Sequence, residues 1–147
     1  MPVRIGLLLI ILLGGCLRTD IPRLVQDSAD IFSAEAEAAA EERLQAVARE
    51  TGRWGFVITE EGGDPPRMLD EPMRVADARN VSAMAVLLDG TQVLGIGSSR
   101  RSVAQRDQLV SEDSRVHEFL AAGNADAALE VMVRDFEVWS TAPPRPS

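Results

Sequence analysis

The sequence predicts an α/β protein, a single domain with a three-layer α/β/α sandwich around a small mixed β-sheet. Segments with helical spacing alternate with short apolar, β-branched runs. One of these, Ala83–Leu88, is apolar at nearly every position, as expected of a strand covered on both faces. Asp89-Gly90 between two such runs marks a hairpin, and so one antiparallel pair.

Arg4 precedes an apolar run, Ile5–Leu13, followed by Gly14, Gly15 and Cys16, the one cysteine of the chain. The run is about half of the roughly 20 apolar residues that span a bilayer, which suits a cleaved signal better than a permanent helix. Leu13, Gly15 and Cys16 fit the lipobox pattern of a bacterial lipoprotein signal. Residues 1–15 are therefore predicted to be a signal peptide and Cys16 the lipid attachment site. Two or three acyl chains, at roughly 0.8 kcal/mol per buried methylene, anchor stably where one does not. The expected location is the bacterial cell envelope, facing the periplasm or the cell exterior, with the lipid as its hold on the membrane. Residues 16–24, with Pro22, read as a tether, residues 25–139 as the domain, and residues 140–147, with three prolines, as a disordered tail.

Within the domain, Ser33 is placed to cap a helix over Ala34–Glu50. Glu35 and Glu37 lie in its first turn, Arg43 and Arg49 towards its end, and Gly52 supplies the stop. Ala40, Leu44, Val47 and Thr51 mark its apolar stripe. Trp54–Thr59 is too short for a helix and reads as a strand. Pro72 is expected to open a short helix ending near Asn80. Ser82–Leu88 and Gln92–Ile96 form the hairpin. From Val103 the chain turns helical: Asp113 or Ser114 caps a helix carrying Val116, Phe119 and Leu120. Asn124 or Asp126 begins another with Leu129, Met132, Val133 and Phe136 on one stripe.

Composition excludes several functions. The chain has a formal charge of −8, and loss of Arg4 makes the mature form one unit more negative, so nucleic acid is not expected as a partner. The same charge would repel anionic headgroups, which assigns membrane attachment to the lipid rather than to a basic surface. Every basic residue is arginine, so Schiff-base and phosphate-loop lysines are ruled out. Without a second cysteine no internal disulfide forms, and stability must come from the core.

The run Leu24-Val25-Gln26-Asp27-Ser28-Ala29-Asp30-Ile31-Phe32-Ser33, the Ala/Glu helix after it, Glu50-Thr51-Gly52 and Gly55–Thr59 resemble the opening of a TPM domain. Ala83–Gly97 and Phe119–Leu129 are similar to later parts of that family, and the resemblance spans most of residues 24–136. It includes thylakoid-lumen acid-phosphatase-like and photosystem-repair proteins and many bacterial envelope proteins. The resemblance implies the same sandwich and an extracytoplasmic location. It also implies calcium binding or metal-dependent phosphatase activity as alternatives to a non-catalytic module that binds a membrane or envelope protein.

The metal reading rests on Asp27, before the first helix, and Asp89, at a strand end, with Glu60 nearby. Calcium needs six or more converging oxygens, and no 12-residue calcium loop is present. The bland reading has Asp27 fixing its loop by an Asx-type hydrogen bond and Asp89 making the turn. Arg100 and Arg101, after Gly95-Ile96-Gly97-Ser98-Ser99, are candidates for holding an anion through guanidinium forks and backbone donors. His117 is the one histidine and lacks partners for a metal set or a triad, so it reads as a partly exposed helix residue. No catalytic residue is assigned.

Overall fold

The computed structural model describes residues 20–101 and 114–143. In chain order the elements are β1 (Val25–Asp27), α1 (Ala34–Thr51), β2 (Arg53–Glu60), α2 (Pro65–Ala78), β3 (Ser82–Asp89), β4 (Gln92–Ser98), α3 (Ser114–Ala121) and α4 (Ala125–Thr141). The strands lie side by side in the order β1-β2-β3-β4. The first three are parallel and β4 runs antiparallel to β3, so the sheet is mixed, as predicted.

Pleating sends alternate side chains of β2 to opposite faces. Gly55 faces Phe136 of α4, and a Cβ there would stand 2.5 Å from the ring. Trp54 lies under the Arg79 guanidinium at the end of α2, and Phe56 shares a cleft with Pro72 and Val75 of α2. Helices α1 and α4 thus cover one face and α2 the other, with α3 packed beside α4. Six consecutive residues are buried in each of β2 and β3, which is the doubly covered strand that Ala83–Leu88 announced.

This layering has a topological consequence. The crossovers through α1 and α2 both step the same way across the sheet yet lie on opposite faces. They cannot share a hand, so one of them departs from the right-handed rule for parallel connections.

The helix termini follow local chemistry. The Ser33 side chain accepts from the Ala36 N–H, and Gly52, at φ 68°, closes α1 by donating to the Ala48 carbonyl. Asn124 caps α4 through the Ala127 N–H. The alternative cap, Asp126, instead accepts from the Ser33 N–H at 2.8 Å and links the starts of α1 and α4.

Several expectations are corrected. Strand β1 was not foreseen; it is three residues long and exists by pairing Val25–Asp27 with Val57–Thr59. Leu24, assigned to the tether, is fully buried in the core. Helix α2 begins at Pro65 rather than Pro72. Pro65 and Pro66 occupy the first turn, where missing donors cost nothing, and Pro72 lies inside the helix, buried. The hairpin loop is Gly90-Thr91 with positive φ at Gly90 (52°), whereas Asp89 still belongs to the strand. Helix α4 runs on to Thr141 and buries Trp139 and Ser140, so the chain is still helical where the tail was expected to start. On α1 the buried stripe is Ala40, Leu44 and Ala48. Asp113 and the start of the helical reading at Val103 lie outside the described residues. No helix among the described residues is long and apolar enough to cross a membrane.

Candidate functional site

The carboxyl ends of β1, β2 and β3 meet at one pole of the sheet, the position at which open α/β sheets bind ligands. Asp27 ends β1 beside Thr59. Its Oδ1 accepts from the Ile31 N–H at 3.2 Å and its Oδ2 from the Phe32 N–H at 2.9 Å. The Thr59 hydroxyl donates to Oδ1 and accepts from the Ala29 N–H at 3.1 Å. Thr59 is fully buried, so this hydroxyl has no water to turn to. Together the groups fold residues 27–32 over the end of β2, with Asp30 at a positive φ of 54°.

Asp89 does a different job. Its Oδ1 accepts from the Gly62 N–H at 2.8 Å, and Gly90 donates to the Glu60 carbonyl at 3.3 Å, tying the β2–α2 loop to the hairpin. Glu60 itself pairs with Arg67. Asp27 is in register with Thr59 and Asp89 with Glu60, so pleating sends the two carboxylates to opposite faces, from strands about 10 Å apart across β2. The structure does not bring Asp27 and Asp89 together. Among the described residues no three His, Cys, Asp or Glu side chains converge to hold a metal.

Arg100 and Arg101 lie at the other pole, because β4 runs back along β3. The Arg100 N–H donates to Asp77 Oδ1 at 3.0 Å, and its guanidinium stands 4.0 Å from Asp77 Oδ2. Arg101 is exposed and has no ion pair among the described residues. Ser99 is buried, and its Oγ accepts from the Ala83 N–H at 2.9 Å and donates to the Val81 carbonyl at 3.2 Å. His117 is exposed on α3. Cys16 lies outside the described residues.

A feature absent from the sequence reading is an open groove of ≈ 630 Å³ between α2 and β4. Pro66, Leu69 and Met73 form its apolar side, and Asp70, Arg74, Asp77 and the predicted anion-site residue Arg100 its charged rim. Leu69 lies directly over Gly97, where any Cβ would collide with it. The groove escaped because α2 was started at Pro72, which left Pro66 and Leu69 in a loop. Asp64-Pro65-Pro66 was the available signal for the true helix start.

On the opposite face Arg43 clamps α1 to α4 through Glu137, at 2.8 and 2.9 Å, and Glu130, at 2.5 Å. The hydrogen bonds from Arg43 hold the Glu137 carboxyl below the usual carboxylate range and raise the guanidinium further. The backbone N–H of Ser33 lowers Asp126 in the same way.

No protein-family model matches the sequence, and no curated protein matches it. Two solution NMR structures are similar in fold. One is the N-terminal domain of a protein from P. gingivalis, with TM-score 0.52, 21% identity and coverage of 80% of this chain and 81% of that one. The other is the N-terminal domain of the cg2496 protein from Corynebacterium glutamicum, with TM-score 0.53, 12% identity and coverage of 86% and 89%. At these identities the likeness is one of fold, and it agrees with a single small α/β domain.

Proposed function

We propose that the protein is a lipid-anchored, extracytoplasmic binding module that assembles with a membrane or envelope protein and carries out no chemistry of its own. The observation that carries this reading is the α2–β4 groove, whose mixed lining sets Leu69 and Met73 beside Asp70, Arg74 and Arg100, a composition that fits a polar recognition surface. The N-terminal Arg4, apolar run and Cys16 support the lipid anchor, and the TPM resemblance supports the location. The groove runs lengthwise along the sheet, between the carboxyl pole and the pole where the chain leads back towards Cys16. A partner in the same membrane could therefore approach it from the side.

The test uses the full chain in bacterial cells with a photo-crosslinking residue at Asp70 or Arg74, in the groove, or at Glu42, exposed on α1. Crosslinks to one envelope protein from the groove positions alone, lost in Cys16→Ser, support the reading. Equal labelling from Glu42 would sink it. The calcium and phosphatase alternatives are separated by calorimetric titration of calcium into the wild type and Asp27→Ala: saturable heat abolished by the substitution would favour them.

A further inference from the structure

We infer that the pole of the sheet at which the parallel strands begin docks on the anionic phospholipid surface that holds the lipid, while the acidic pole points away. This rests on the lipid-anchoring reading. It stands on three observations of the fold itself.

The first is reach. Asp20 is held where Arg79, at the end of α2, donates to its carbonyl, and Cys16 is four residues before it, so an extended chain separates their Cα atoms by no more than about 14 Å. The acylated residue is thus confined to the pole where β2 and β3 begin.

The second is charge. Helices α1 and α2 end at this pole, β2 starts there and β4 returns to it, which gathers Arg49, Arg53, Arg79, Arg100 and Arg101. The acidic groups alongside them include Asp20, Glu50 and Asp77, while Glu137, next to Val138 towards the end of α4, is paired with Arg43. Arg53 is held by the Trp139 and Ala142 carbonyls at the end of α4 and Arg79 by the Asp20 carbonyl, over Trp139 and Trp54, and neither pairs with a carboxylate among the described residues. Arg49 and Arg101 are exposed, with no ion pair among the described residues. At the opposite pole stand Asp27, Asp30, Glu60, Glu61, Asp64 and Asp89, with Arg67 against them. A chain that is strongly acidic as a whole is therefore polarised, with its arginines where the lipid enters.

The third is an exposed apolar side chain. Val138, 65% exposed, sits in the last turn of α4 at the same arginine pole. An interfacial position would cover it. Anionic headgroups attract basic residues at about 1 kcal/mol each near the surface, equivalent to about a five-fold change in the docked ratio.

The experiment reconstitutes the purified lipidated protein in vesicles of phosphatidylcholine with or without phosphatidylglycerol and spin-labelled headgroups. A fluorophore is placed on Ala78→Cys, at the arginine pole, or on Glu61→Cys, at the acidic pole. Mass spectrometry first reads the lipid on Cys16. We expect quenching of the Ala78→Cys probe to exceed that of the Glu61→Cys probe several-fold on phosphatidylglycerol vesicles. The excess should be lost in about 1 M salt, where the Debye length is near 3 Å. Arg49→Ala with Arg101→Ala should lower the docked-to-undocked ratio by more than about tenfold, and circular dichroism checks that the fold is kept. Lipidated protein whose two probes are quenched alike overturns the docking alone. Protein without lipid overturns the anchoring reading and the docking with it.

Discussion

Asp27 shows how much a single side chain can hold. Its carboxylate satisfies two backbone donors of a loop with no other acceptor for them and also accepts the hydrogen bond of a buried hydroxyl. Asp27→Ala is expected to lower stability by roughly 2 kcal/mol, since it leaves these donors unpaired, and Asp27→Asn by less. Urea unfolding checks both, and an unchanged midpoint would contradict the tie. Gly55 makes an opposite demand, for absence. Gly55→Ala drives a methyl into the Phe136 ring and should cost about 1–3 kcal/mol in the same assay, while Phe136→Leu alongside it should recover part of the loss. The loop-fixing role of Asp27 is legible in sequence because it acts nearby, although its acceptors serve residues four and five positions ahead and not the second residue of an Asx turn. Gly55 offers no such sign, because its partner is 81 residues away in the chain.

At the scale of elements, caps were legible and packing partners were not. Ser33 and Gly52 act on their own helix, so spacing suffices to find them, whereas spacing leaves Asn124 and Asp126 as alternatives for α4. Asp126 has the chemistry of a cap but serves α1, a choice set by where two helix starts meet. The start of α2 was misread because Pro72 has two readings. Proline is tolerated at a helix start and, at a cost, inside one, and only the burial of Pro72 beside Phe56 and Gln26 selects the second. The Arg43 clamp yields a pH prediction. Glu137 and Asp126 have folded-state values below their unfolded ones, so their contribution is present above the ordinary carboxylate range and lost as the pH falls through the folded values. Stability should thus fall progressively as the pH drops below about 5. Arg43→Met should make that drop shallower by removing the Glu137 share, and should lower stability at neutral pH by roughly 0.5–1 kcal/mol. Urea midpoints across the pH range give both numbers, and an unaltered slope would contradict the clamp.

At the scale of the whole molecule, the domain begins earlier than composition suggests. Leu24 is buried, Glu41 accepts from the Leu24 and Val25 N–H groups, and Gln45 donates to the Pro22 carbonyl. A chain truncated to start at Val25 should lose about 3 kcal/mol or more, close to the effect of Leu24→Ala alone, whereas one starting at Asp20 should keep full stability. Thermal unfolding of the two fragments decides where the tether stops. The sequence by itself determined the α/β class, the hairpin, the caps of α1 and the doubly covered central strand, because each is written in spacing over a few residues. It also specified the net acidity, from which repulsion between protein and headgroups was expected. Only the tertiary structure decided where the charges go. The parallel strands and their returning helices sort residues by chain direction, collecting arginines at one end and carboxylates at the other, although neither forms a run in the sequence. The same folding sends Asp27 and Asp89 to opposite faces and opens the groove beside β4, since pleat, crossover side and register are properties of paired strands and not of any one segment.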